Sequence, residues 1–152
     1  MYVLVDALDL AAVKALRYAH ELRPDEVRAV HFMIDEVHAR RLMNRWERAS
    51  ATTVPLEILA CPDRRLHHAV LGLALRTTED GRTALTLLVP RRTYSPLLGR
   101  LLHRGTGDQL AKSVEHLRDV AVTILPFDVE RAVERLRAGA PDQGGPGAHG
   151  PG

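Results

Sequence analysis

Between Gly81 and Gly107 the chain carries five arginines, Arg82, Arg91, Arg92, Arg100 and Arg104, and no aspartate or glutamate. Guanidinium forks grip phosphate oxygens in a bidentate way that a lysine point charge does not reproduce. In the same stretch Gly105-Thr106-Gly107 precedes a helical pattern, and the free N–H groups and dipole of a helix start favour an anion. Arg91, Arg92, Arg104, Gly105 and Thr106 are therefore candidate phosphate contacts. The same composition also suits a solvated loop with a glycine hinge, and the residues alone leave both open.

Asp6, just after the first apolar run, suits a ribose hydroxyl or an adenine amino group, or a cap on the following helix. His31 and His103 can each donate to a phosphate or serve as internally bonded structural side chains. His38 and the neighbours His67 and His68 lack metal-ligand spacing, because adjacent helical residues point in different directions; no metal site is expected. Cys61 is the single cysteine, which excludes an internal disulfide and a cysteine-only metal centre. Without a Cys-x-x-Cys partner it is expected as a buried thiol at a strand end. Trp46 falls on the apolar face of a helix and is expected in the core. No paired-carboxylate, G-x-S-x-G or Walker pattern occurs, so no catalytic residue is assigned and the chain is not expected to be an enzyme.

The elements that position these residues are legible from period. Tyr2 to Val5 is a short apolar run, and Leu10, Val13, Leu16 and Ala19 follow at helical spacing with Asp9 as N-cap. Val27 to Ile34 predicts a second strand, and Asp35 caps a helix with Ala39, Leu42, Met43, Trp46 and Ala49 on one face. Pro55 to Cys61 predicts a third strand, and Asp63 a cap for a helix buried through Leu66, Ala69, Val70, Leu73 and Ala74. After an Asp80-Gly81 turn come a fourth strand, Thr83 to Val89, and a helix marked by Leu110, Val114 and Leu117. A fifth strand spans Val120 to Phe127, and Val129, Ala132, Val133 and Leu136 predict a last helix from an Asp128 cap to Gly139. Strands alternating with helices on short connections predict an α/β fold, a five-stranded parallel sheet covered on both faces. Such sheets bind ligands beyond the carboxyl ends of their strands, where the winding reverses, so Asp6 to Asp9, His31 to Asp35 and the residues after Val89 are the places for a site.

At 152 residues the chain is one domain on a scale of roughly 150 residues per domain. Residues 1–138 are expected to form it. The last fourteen residues, Gly139 to Gly152, hold six of the eleven glycines and three of the nine prolines and predict a disordered tail. Lysines and arginines exceed acids by 21 to 19, and most arginines lie beside acids on helices; no basic reading face or aromatic-studded stripe predicts nucleic-acid binding. No apolar run approaches the roughly 20 residues needed to cross a bilayer, and the chain reads as soluble, from a reducing compartment.

The run from Val3 to Ala19, Val27-Arg-Ala-Val-His-Phe and the strand and loop from Leu87 resemble the universal stress protein fold, an adenine-nucleotide-binding α/β domain. More closely, Ala29-Val-His, Trp46, Pro55-Leu-Glu-Ile, Cys61-Pro-Asp-Arg-Arg-Leu, Leu88-Val-Pro-Arg, Leu101-Leu-His-Arg-Gly-Thr and Val122-Thr-Ile-Leu-Pro-Phe resemble the cytosolic C-terminal domain of bacterial amino acid/polyamine/organocation permeases, Kim-type potassium importers among them. The similarity covers about residues 2 to 127. ATP-binding stress proteins follow their fourth strand with a G-x-x-G, nine-residue, G-S/T loop; here Pro90 and Thr93 replace the first glycines, and Gly105-Thr106 comes two residues late.

The resemblance implies a cytoplasmic regulatory domain at the inner face of the membrane, joined to a transmembrane permease part. It binds an adenine nucleotide, cyclic di-AMP foremost and ATP or AMP alternatively, as a homodimer that suits a two-fold ligand. It also implies roles. Asp6, Ala7, Leu8, Val30 and His31 line an adenine pocket, Tyr94 stacks on a base, and Pro90, Arg91, Arg92, His103, Arg104, Gly105 and Thr106 surround the phosphates. A dimerisation scaffold without ligand, using the fifth strand or the last helix, is the remaining alternative.

Overall fold

The computed structural model describes residues 1–49, 53–92 and 106–127. The expected Asp128 to Ala138 helix and the Gly139 to Gly152 tail lie outside them. Strands β1 (Tyr2–Leu4), β2 (Arg28–Met33), β3 (Leu56–Ala60), β4 (Leu85–Arg92) and β5 (Val120–Phe127) alternate with helices α1 (Leu10–Glu21), α2 (Glu36–Arg48), α3 (Leu66–Thr77) and α4 (Thr106–Val114). The strands form one parallel sheet in the order β3-β2-β1-β4-β5. This is the α/β architecture that the alternating periods predict, and it is consistent with a stress-protein-like Rossmann-type fold.

Each face of the sheet has its own core. On one, Leu66, Val70, Leu73 and Ala74 of α3 and Leu110 and Val114 of α4 meet Leu4, Val30, Phe32, Leu85, Leu87 and Val89. On the other, Ala12, Ala15, Leu16 and Ala19 of α1 and Leu42 and Trp46 of α2 meet Val3, Val5, Ala29 and Leu88. β4 is buried from Leu87 to Pro90, because helices cover both its faces and every side chain is enclosed. Trp46 is core as expected, and its indole N–H donates to the Val54 carbonyl at 2.9 Å, which satisfies the polar atom that its burial would otherwise strand.

Two local expectations are corrected. Leu10 and Val13 are exposed, at 44% and 46%; α1 instead buries its alanine side, Ala11, Ala12, Ala15 and Ala19, since small residues let a helix lie close to the central strands. Asp63 does not cap α3. The N-cap is Arg65, without a side-chain cap bond, while Asp63 accepts from the Arg65 N–H at 3.0 Å and pairs with His68. Asp9 and Asp35 cap as predicted, accepting from the N–H groups of Ala12 and His38. Asp80 gathers the N–H groups of Arg82 and Thr83 around Gly81, whose φ of +63° explains the glycine.

Candidate functional site

The winding reverses between β1 and β4: the chain steps outward from β1 through β2 to β3, then returns to β1's other side for β4 and β5. β1 is three residues long. Leu4 pairs with Val30 and Val3 with Leu88, after which β2 runs on to Met33 and β4 to Arg92. The neighbours outrun β1 and leave a notch at the carboxyl edge of the sheet. Its floor is the β1–α1 turn, Val5 to Asp9. Pro90 stands on the wall where β4 has passed the end of β1, and on that side its missing N–H leaves no ladder bond unmade.

The floor is held from two directions. Val5 continues toward β2, its N–H donating to the Val30 carbonyl at 2.8 Å. Its own carbonyl accepts from His31 Nδ1 at 2.9 Å. Asp6 accepts at its backbone carbonyl from His38 Nε2 at 2.7 Å, and its carboxylate lies 3.5 Å from the same nitrogen. The His31 and His38 rings stand 5.5 Å apart between centroids. His31 is 4% exposed; burial pushes its pKa below the ordinary histidine value, against the opposing pull of the Val5 carbonyl and Asp6. Its Nε2 is buried with no hydrogen-bond partner among the described residues.

The other sequence candidates distribute as follows. Ala7 and Leu8 are half-buried in the turn, Leu8 packing on the α1/α2 core. Val30 is fully buried in the α3/α4 core, so it meets the notch through its backbone alone. Arg91 and Arg92 are the last residues of β4, and Thr106 opens α4, which places their backbones at the same edge. Tyr94, His103, Arg104 and Gly105 lie outside the described residues. Cys61 directly follows β3, 2% exposed, and burial raises its thiol pKa. Among the described residues no group of three or more His, Cys, Asp and Glu could hold a metal ion, and no helix is long and apolar enough to cross a membrane.

Sequence spacing missed His38 as a member of this constellation. It lies 32 positions from Asp6, and only the β1–β2 pairing together with the start of α2 brings them together.

An open parallel sheet whose winding reverses between β1 and β4 defines a doubly wound α/β domain. The family model for the KimA potassium transporter C-terminal domain matches residues 1–127, and the chain belongs to that family. No curated protein sequence matches it.

Proposed function

We propose that this chain is a non-catalytic regulatory domain in the cytoplasm, joined to a potassium-transporting permease part, which binds an adenine nucleotide second messenger, cyclic di-AMP, as a homodimer at the inner face of the membrane. The observation that carries the reading is the notch over β1, with the Asp6 turn as its floor and Arg91-Arg92 at the end of its β4 wall. Asp6, Ala7, Leu8 and the His31 region would receive adenine. Arg91, Arg92 and Arg104, with the start of α4 at Gly105-Thr106, would receive the phosphodiesters, and Tyr94 would stack on a base.

The sheet edges support self-association. β3 is five residues long, follows Pro55 and carries Glu57, features that blunt an edge. β5 is eight residues long without a charge, Val-Ala-Val-Thr-Ile-Leu-Pro-Phe, and its outer side pairs with no strand among the described residues. A second copy along β5 would place two notches in a two-fold arrangement that matches a ligand with two adenines. Binding regulates transport to the extent that the ligand's affinity differs between the transporter's two states. Cys61, buried and held as a thiol, fits the non-catalytic reading.

Calorimetric titration with cyclic di-AMP, and with ATP, AMP and cyclic AMP for comparison, tests the proposal. One cyclic dinucleotide per dimer at micromolar affinity or tighter is expected. Heat from ATP or AMP alone would replace it with a mononucleotide-binding stress protein, and no heat from any of the four with a ligand-free dimerisation scaffold.

A further inference from the structure

The β1–α1 turn is fastened at successive carbonyls by imidazoles from two other elements. His31 reaches Val5 from β2, and His38 reaches Asp6 from the first turn of α2. A backbone carbonyl can only accept, so the proton sits on Nδ1 of His31 and on Nε2 of His38. The two rings differ in what remains. His31 keeps an Nε2 lone pair in the core with no partner among the described residues, while half-exposed His38 has the Asp6 carboxylate 3.5 Å from the nitrogen it already uses. His38 thereby holds Asp6 by its backbone and lies next to its side chain. β1 itself ends at Leu4, and the turn beyond it is kept in one path by these two bonds together with the Val5 N–H bond to β2.

We infer that His38 is a positioning residue for the nucleotide site: with His31 it locks the β1–α1 turn so that Asp6, Ala7 and Leu8 meet the ligand already in the bound conformation. The inference rests on the nucleotide-binding reading above and adds a residue that need not touch the ligand. A site whose competent form is populated only in part binds more weakly by that fraction. If loss of the His38 bond leaves the turn competent about one-tenth of the time, affinity falls about 10-fold.

The test compares the wild-type chain with His38→Ala and His38→Gln, the latter offering an amide N–H near the position of Nε2. Three quantities are read: backbone ¹⁵N order parameters of Asp6 to Leu8 without ligand, the affinity for cyclic di-AMP, and the thermal midpoint. In wild type and His38→Gln the turn is expected in the rigid range near about 0.85, falling toward about 0.6 in His38→Ala. Affinity should fall about 10-fold in His38→Ala and be rescued in His38→Gln, with midpoints close to wild type because His38 is only half-buried. Unchanged order parameters in His38→Ala would overturn the inference, as would a lowered midpoint with no rescue by glutamine. Should wild type bind no nucleotide, the proposed function fails while the order parameters still decide whether His38 holds the turn.

Discussion

At two strand-to-helix turns on the same edge of the sheet an aspartate meets a histidine held on a helix, and the two pairs are used differently. In the β3–α3 turn, His68 Nδ1 meets the Asp63 carboxylate at 2.7 Å, side chain to side chain, with the two partners 49% and 43% exposed. In the β1–α1 turn, His38 gives its shorter contact to the Asp6 backbone, and the side chains are 35% and 20% exposed. The outer pair ties two solvent-exposed side chains, an arrangement worth little. The inner pair fixes the course of the chain at the winding reversal, where a ligand would lie. An Asp–His pair becomes informative only through what the imidazole holds and where in the sheet it does so.

The largest expected effect lies at the notch. Arg91→Ala combined with Arg92→Ala should cut cyclic di-AMP affinity at least about 100-fold, the sum of two lost charge-assisted contacts, in calorimetric titration; full retention would remove these arginines from the site. The next contrast is in pH. The unfolded chain protonates His31 near its ordinary value of about 6.5, whereas the native fold resists the proton. Stability is therefore complete above that pH and slopes downward below it, until the native ring is protonated as well. Urea midpoints between pH 7 and 5 should show this slope, and His31→Asn should flatten it. Asp63 works with the same sign in a lower window: the Arg65 N–H and His68 hold its carboxyl below the ordinary range, so its contribution is present above about pH 4 and is lost only as pH falls further. The smallest effect belongs to the outer pair, where His68→Ala should shift stability by less than about 1 kcal/mol and leave nucleotide affinity unchanged. A loss of affinity there would erase the distinction between the two turns.

The fold was legible because its signals are local. Asp9 and Asp35 stand immediately before apolar periods, and Val3-Leu-Val and Ala29-Val-His-Phe are enclosed runs with β character. The α1 face was misjudged because Leu10 and Val13 share the helical period with the alanines, and only the closeness of α1 to the central strands decides which side faces in. Asp63 reads as a cap only if α3 starts two residues early; the N-cap is Arg65, and Arg64, at φ 56°, extends the turn before the helix starts. Asp6 and His31 are legible as candidates from their place at strand ends. His38 is not, because its partner is a carbonyl brought near by strand pairing, and no sequence pattern marks a backbone acceptor.

Within the domain β1 comes first in the chain and lies in the middle of the sheet. Its β2 side closes as soon as Arg28 to Val30 arrive, but its other side waits for Leu87 and Leu88, more than half the chain later. Until then the early strands can pair only as the half-sheet β3-β2-β1, with a bare inner margin, and the segment that would carry the ligand is the seam along which the late half is joined to the early one. A substitution that slows this joining would be felt first as poor yield during synthesis, before any change in the finished domain.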